Sequence, residues 1–188
     1  ALNPDGFLHP DAISALLRRS ESSYCLALIE GRQFPNEHPK IYDTHSLETP
    51  WCSGACMMIS RQLYGKIGGF DEGFFMYCED VDYSWRARAA GAKCIIAPDA
   101  YFFHDVLDRP QSSFVRWHMA LSMKRLLSRW QPDHTPARLV SQLEDMLRDM
   151  PPEVADTGSR PNSVPLACHT AGIADFEHAF GFSPFRWN

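Results

Sequence analysis

The feature that most restricts the fold of this chain is the run GGFDEGFFMYCEDVDYSWRARAAG, Gly68 to Gly91. From Glu79 to Ala90 it reads as a helix. Three acids occupy the first turn, where the positive end of the helix dipole favours them, arginines lie towards the end, and Gly91 is a C-terminal stop. Gly68 and Gly69 close the short helical turn RQLYGKI in front of it. Between the two helices lie Phe74, Phe75 and Tyr77, with acids on either side. A chain with this run must present a carboxylate-rich helix start beside an aromatic turn.

The neighbouring segments predict short strands and helices in alternation. HPDAISALLRRS places Ile13, Leu16 and Leu17 at helical spacing, with Asp11 near its start and two arginines at its end. YCLALIE (Tyr24 to Glu30) and GACMMIS (Gly54 to Ser60) are apolar runs of strand length, and AKCIIAP and AYFFH read as two more strands. GRQFPNEHPKIYD is polar and turn-rich and predicts a loop or an edge excursion. The pattern is α/β, with the unusual residues in the connections.

Beyond His104 the character changes. Ser112 to Trp130 sets Phe114, Trp117, Leu121 and Leu127 along one helical stripe, surrounded by Arg116, Lys124, Arg125 and Arg129. A second helix, Pro136 to Met150, begins at a favourable proline and stops at Pro151 and Pro152. PPEVADTGSRPNSVP is a linker by composition, and the final residues are aromatic without a period. We divide the 188 residues into 1–110, the α/β part; 111–150, a helical extension; and 151–188, linker and aromatic tail. The basic helix also admits a second reading, as a surface that touches a membrane or a partner.

A net charge of −5 supplies no basic field for nucleic acid, and no apolar stretch approaches the roughly 20 residues that cross a bilayer. The N-terminus has neither a basic nor an apolar leader region, so no signal peptide is expected. Six scattered cysteines form no CxxC pair and read as buried reduced thiols of a cytosolic protein.

Three separated features carry candidate chemistry: Asn3-Pro4-Asp5, the cluster Glu79-Asp80-Val81-Asp82, and His104 after the strand AYFF. Carboxylates and an imidazole suit a divalent ion such as Mg2+ or Mn2+. A carboxylate at a helix start, walled by aromatics, also suits a general base. Each feature has a plain structural alternative: dipole partners for the acids, a turn for Asn3-Pro4-Asp5, core packing for Phe74, Phe75 and Trp85, and a solvated helix end for Arg86 and Arg88.

NPDGFLHPDAISALL, TPWCSGACMMISRQLY, GGFDEGFFMYCEDVDYSWRARAAG and PDAYFFH follow one another in the order and spacing of bacterial family 2 glycosyltransferases of the rhamnosyltransferase-like kind. The chain resembles the second half of that catalytic domain, from Leu2 to about His104. The resemblance implies a partial GT-A fold, the Rossmann-like α/β fold of nucleotide-diphospho-sugar transferases, with a mixed sheet followed by C-terminal helices. It implies that the strand–helix–strand half that binds the nucleotide lies outside this chain. It implies an inverting transferase that uses a divalent cation, a nucleotide-sugar donor and a glycan or lipid-linked acceptor in cell-surface polysaccharide synthesis, on the cytoplasmic side and close to the inner face of the membrane; a homo-oligomer is compatible with it. A non-catalytic remnant of the same fold is the alternative.

Residue by residue, Asn3-Pro4-Asp5 stands where the family has its DxD-type motif, with Asn3 in place of the first acid. Asp5, His104 and Asn3 are then the metal-side residues. Asp80 is the base that deprotonates the acceptor, and Glu79 the second candidate. Trp51, Ser53 and Gly54 match a loop beside the donor sugar. Asp71, Glu72, Phe75 and Tyr77 are placed at the acceptor, and Arg86 within reach of phosphate oxygens.

Overall fold

The computed structural model describes residues 1–23, 26–104, 112–130 and 137–148. In chain order these form β1 (Gly6–Leu8), α1 (Ala12–Ser22), β2 (Ala27–Phe34), β3 (Met57–Ile59), α2 (Arg61–Ile67), α3 (Glu79–Ala89), β4 (Lys93–His104), α4 (Ser113–Trp130) and α5 (Ala137–Arg148). The sheet runs β1-β4-β2-β3. β4 is parallel to β2 and antiparallel to β1, and β3 returns antiparallel on the far side of β2. The fold is therefore mixed α/β, as the sequence predicts.

The central strands depart from their expected lengths for one shared reason. AKCIIAP and AYFFH form a single strand, and the polar segment Gly31–Phe34 extends β2 instead of looping out. Pairing runs from Ala27↔Lys93 to Gly31↔Ala97, then resumes at Arg32↔Tyr101. Pro98, Asp99 and Ala100 fall in that irregularity, which is where a strand tolerates a proline that cannot donate to the ladder. Gly31 is required beside it: a Cβ there would stand 2.6 Å from Cys56 Sγ and 3.1 Å from Ala100 O. Tyr24 and Cys25, the start of the expected first strand, lie outside the described residues.

β1 has no signature in the sequence. It exists because Gly6, Phe7 and Leu8 pair with His104, Phe103 and Phe102 at the end of β4, and this pairing carries the N-terminal Asn3 and Asp5 to the histidine.

Two expected helix faces are rotated. In α1 the buried residues are Ala12, Ala15 and Leu16, while Ile13 and Leu17 face out, because the small alanines allow the helix to lie close on β2 and β4. In α4 the buried ridge is His118, Ser122, Leu126 and Trp130 at successive four-residue steps, with Trp117 and Ala120 beside it; Phe114 is exposed. Trp85 is fully buried, between α3 and α4, its ring edge-on to Trp130 at 5.5 Å. Cys52, Cys56, Cys78 and Cys94 are buried free thiols.

Candidate functional site

The N-terminal group is assembled by the sheet edge. The Asn3 N–H donates to Ala55 O (2.9 Å), which holds the segment before β1 against the 50s loop, residues 50–56 ahead of β3. His104 Nε2 lies 3.0 Å from Asp5 Oδ1 and 3.4 Å from Asn3 Nδ2, and its Nδ1 lies 3.0 Å from Gln33 Oε1. Gln33 Nε2 faces Ser53 Oγ at 3.4 Å, which leaves its Oε1 to accept from Nδ1–H. Nε2 is thereby turned towards Asp5 and Asn3, the tautomer control that imidazole ligands of metals need. His104 is 5 % exposed, whereas Asp5 is only partly covered.

This set suits a hard divalent ion in part. It offers one imidazole, one carboxylate and one amide; among the described residues no group of three or more His, Cys, Asp or Glu side chains converges. Mg2+-type ions are commonly held by one or two carboxylates with substrate phosphates and water completing the shell, so these residues could hold such a cation only with further ligands from a bound molecule or water.

The second group is the start of α3. Tyr77 and Cys78 both adopt left-handed backbone (φ 66° and 65°), a conformation rare for non-glycine residues and rarer in succession. That double reversal turns the chain into α3 at Glu79. The Gly54 N–H donates to Asp80 Oδ2 (2.9 Å) and the Val81 N–H to Asp80 Oδ1 (2.8 Å), so each oxygen is fixed. The Cys52 N–H donates to Ser84 Oγ (3.0 Å), and that hydroxyl donates to Asp80 O (2.7 Å), binding the 50s loop to the first turn of α3.

Burial pushes the Asp80 carboxyl above its ordinary value, against the opposing pull of the Gly54 N–H and the Lys40 charge. Glu79 is pushed up to about 7, first by burial and then by the neighbouring Asp80 charge. Its Oε2 is buried and has no hydrogen-bond partner. Burial raises both carboxyls, which makes this loop–helix junction a candidate for acid–base chemistry.

The tripeptide Ser53-Gly54-Ala55 joins the two groups. Ser53 meets Gln33 behind His104, Gly54 holds Asp80, and Ala55 holds Asn3. Beneath it lies a feature that sequence reasoning missed. Glu30 and Lys40 form a buried ion pair, the Ser53 N–H donates to Glu30 Oε2 (2.8 Å), and the Lys40 ammonium stands 4.2 Å from the Trp51 ring centroid. A glutamate closing the apolar run YCLALIE is the one signal that could have marked it; nothing in NEHPK distinguishes Lys40.

The remaining expected site residues divide into three sets. Glu72 is exposed, and Phe75 (70 % exposed) and Tyr77 lie open to solvent. Trp51 and Ser53 are buried in the loop they shape. Asp71 and Arg86 have partners inside the fold rather than facing a ligand. Asp71 pairs with Arg129 and accepts from the Gly73 N–H (2.8 Å). Arg86 donates to Asp82 Oδ2 (2.8 Å), Ile67 O (3.0 Å) and Gly69 O (2.8 Å), because the i,i+4 spacing on α3 sets it beside a fully buried aspartate. Arg125 and Arg129, expected around the outside of α4, likewise turn inward, to Gly73 and to Asp71 and Asp82.

Sequence comparison adds the chemistry of relatives. No family model matches the chain. It is 32 % identical over 114 residues to an N-acetylglucosaminyl-diphospho-decaprenol L-rhamnosyltransferase of Mycobacterium tuberculosis (strain ATCC 25618 / H37Rv), covering 54 % of this chain and 34 % of the relative. It is 35 % identical over 86 residues to rhamnosyltransferase WbbL of Escherichia coli (strain K12), covering 42 % and 33 %. A shorter match, 49 % over 35 residues, covers 19 % of this chain and 11 % of the low-salt glycan biosynthesis hexosyltransferase Agl10 of Haloferax volcanii. The match spans about a third of the length of the rhamnosyltransferases. Over about half its length, then, this chain is a homologue of rhamnosyltransferases, in agreement with the family 2 glycosyltransferase resemblance carried by its motifs.

Proposed function

We propose that the chain forms the metal- and acceptor-side part of an inverting glycosyltransferase, which moves a hexose or deoxyhexose from a nucleotide-sugar to a glycan or lipid-linked acceptor in surface polysaccharide synthesis, at the cytoplasmic face of the membrane. The observation that supports this reading is the Ser53-Gly54-Ala55 bridge, whose successive residues bond Gln33 behind His104, Asp80, and Asn3 of the Asp5–His104 group. Transfer from a diphosphate donor needs both functions side by side.

Asp80 takes the proton of the acceptor hydroxyl. The acceptor oxygen forms its bond to the anomeric carbon as the bond from that carbon to the diphosphate oxygen breaks on the opposite face, and the configuration inverts. A carboxylate raised above its ordinary value is a better proton acceptor than a solvated one, provided it is still ionised at the working pH. The N–H groups of Gly54 and Val81 hold its two oxygens for that role. Asp5 and His104, with Asn3 beside them, would hold a divalent cation, which when bound neutralises the departing diphosphate. Glu72, Phe75 and Tyr77 are the exposed side chains of the loop before Glu79, where an acceptor would lie, and what the rings of Phe75 and Tyr77 leave open offers apolar surface for a sugar.

The test is a donor screen on the full-length protein with Mn2+, with the anomeric configuration of the product read by NMR. Inverted product, and loss of Mn2+ binding by calorimetry in the Asp5→Ala, His104→Ala double variant, are expected. Retained configuration, or donor hydrolysis with no acceptor product, would rule the reading out.

A further inference from the structure

The loop before Glu79 holds two consecutive left-handed residues, and such a conformation persists only where its surroundings over-determine it. The surroundings come from α4. Ser122 Oγ donates to Met76 O (2.7 Å), Arg125 Nη1 donates to Gly73 O (2.7 Å), and Arg129 pairs with Asp71. These three lie on one face of α4, and their partners run backwards along the loop: 122 to 76, 125 to 73, 129 to 71. The helix is laced antiparallel to the loop, one rung per turn.

The lower end is anchored in α3 itself. Arg129 Nε lies 3.2 Å from Asp82 Oδ1, and Trp130 Nε1 donates to the same oxygen (3.0 Å), while Arg86 joins Asp82 to the carbonyls of Ile67 and Gly69. Asp71, Arg129, Asp82 and Arg86 thus form a network of two carboxylates and two guanidiniums that ties both ends of the loop. Gly73 shows that the lacing is built closely: a Cβ there would stand 1.8 Å from Arg125 Nη2 and 2.0 Å from its Cζ, so the guanidinium lies directly on the loop backbone.

We propose that α4 is the positioning element of the reacting carboxylates: Ser122, Arg125 and Arg129 fix the loop 71–76, and through it the Tyr77–Cys78 reversal that places Glu79 and Asp80. This rests on the glycosyltransferase reading only for which chemistry those carboxylates perform. It gives the helical extension after β4 a task within the site, although none of its three residues touches a reacting atom.

The experiment follows the Glu79 carboxyl by 13C NMR titration of the 188-residue chain, in wild type, Ser122→Ala, Gly73→Ala and Ser122→Thr. Ser122→Ala removes one rung with no change of charge and favours helix; Gly73→Ala displaces Arg125 by contact. The wild-type midpoint is expected near 7. In Ser122→Ala and Gly73→Ala it falls by about one unit, a tenfold easier ionisation, as the slackened loop lets water reach Oε2. Ser122→Thr, which keeps the hydroxyl, returns it to the wild-type position. Midpoints unchanged in both weakened variants overturn the proposal. The result needs no transfer activity, so it stands or falls apart from the proposed reaction. In the full-length enzyme the same two variants lower kcat about tenfold at unchanged donor KM, and a shifted midpoint with unchanged kcat would reduce α4 to a structural brace and overturn its positioning role.

Discussion

Lys40→Met is the perturbation that most directly tests how the 50s loop is held. Lys40 and Glu30 are buried almost completely, and Glu30 Oε2 also accepts the Ser53 N–H, one residue before the Gly54 N–H that fixes Asp80. Methionine retains most of the lysine stem and its packing under Trp51, so the substitution removes chiefly the charge. Stripping a buried carboxylate of its cation costs about 3–5 kcal/mol, whereas replacing both partners by neutral groups of similar volume is often close to neutral. Lys40→Met should therefore lower the unfolding free energy by about 3–5 kcal/mol, or about 6–20 °C in Tm for a chain of this size. The double variant Glu30→Gln, Lys40→Met keeps an acceptor for the Ser53 N–H and should recover to within about 1–2 kcal/mol of wild type. Urea unfolding followed by tryptophan fluorescence measures both. A single variant within about 1 kcal/mol of wild type, or a double variant as unstable as the single, would refute the view that this pair supports the loop.

Other outcomes follow from individual contacts. The raised Glu79 carboxyl binds its proton more tightly in the folded than in the unfolded chain, so its contribution is fully present below the ordinary glutamate range and is lost as pH rises from about 4.5 through about 7. Urea midpoints across that window should fall less steeply with pH in Glu79→Gln than in wild type; an equal slope would place the titration elsewhere. Ser60 caps α2 by accepting the Leu63 N–H at 3.1 Å, and Ser60→Ala should cost about 1 kcal/mol in the same assay, with Ser60→Asp close to wild type. Burial raises the thiols of Cys52 and Cys78 well above their ordinary value and that of Cys56 to about 11, so a brief iodoacetamide pulse at pH 8 should leave these three unmodified in peptide maps of the native protein and modify them after urea.

Much of the fold was legible because it is local. The acids and arginines around Glu79–Ala89 set α3 by dipole and spacing, and the glycine after RQLYGKI ends α2 where it should. What escaped is what depends on partners distant in sequence. GRQF becomes strand because β4 lies beside it, and β1 forms because the end of β4 needs an edge partner. Periodicity picked Ile13 and Leu17 in α1, but helix-on-sheet packing selected the alanine side.

The site shows the same division. The resemblance to family 2 glycosyltransferases pointed to Asn3, Asp5, Asp80 and His104; the sheet edge brings Asn3, Asp5 and His104 together, and the 50s loop bonds both Asn3 and Asp80. The same resemblance put Asp71 at the acceptor and Arg86 within reach of phosphate oxygens. Their partners, from α4 and from the carbonyls at the end of α2 and after it, occupy them instead. Nothing local in the sequence announces Gln33 behind the histidine, or the Glu30–Lys40 pair, since each is defined by what it meets across the fold.

In the proposed reaction Asp80 is the base of the sugar transfer. The direct measurement is kcat of the full-length protein with its best nucleotide-sugar donor, compared among wild type, Asp80→Asn and Glu79→Gln. Asparagine keeps the acceptor oxygen for one of the two N–H groups but cannot take the proton, so kcat should fall by about 10²- to 10⁴-fold, while Glu79→Gln retains more activity than Asp80→Asn. Wild-type turnover in Asp80→Asn, with the loss appearing in Glu79→Gln instead, would contradict the account.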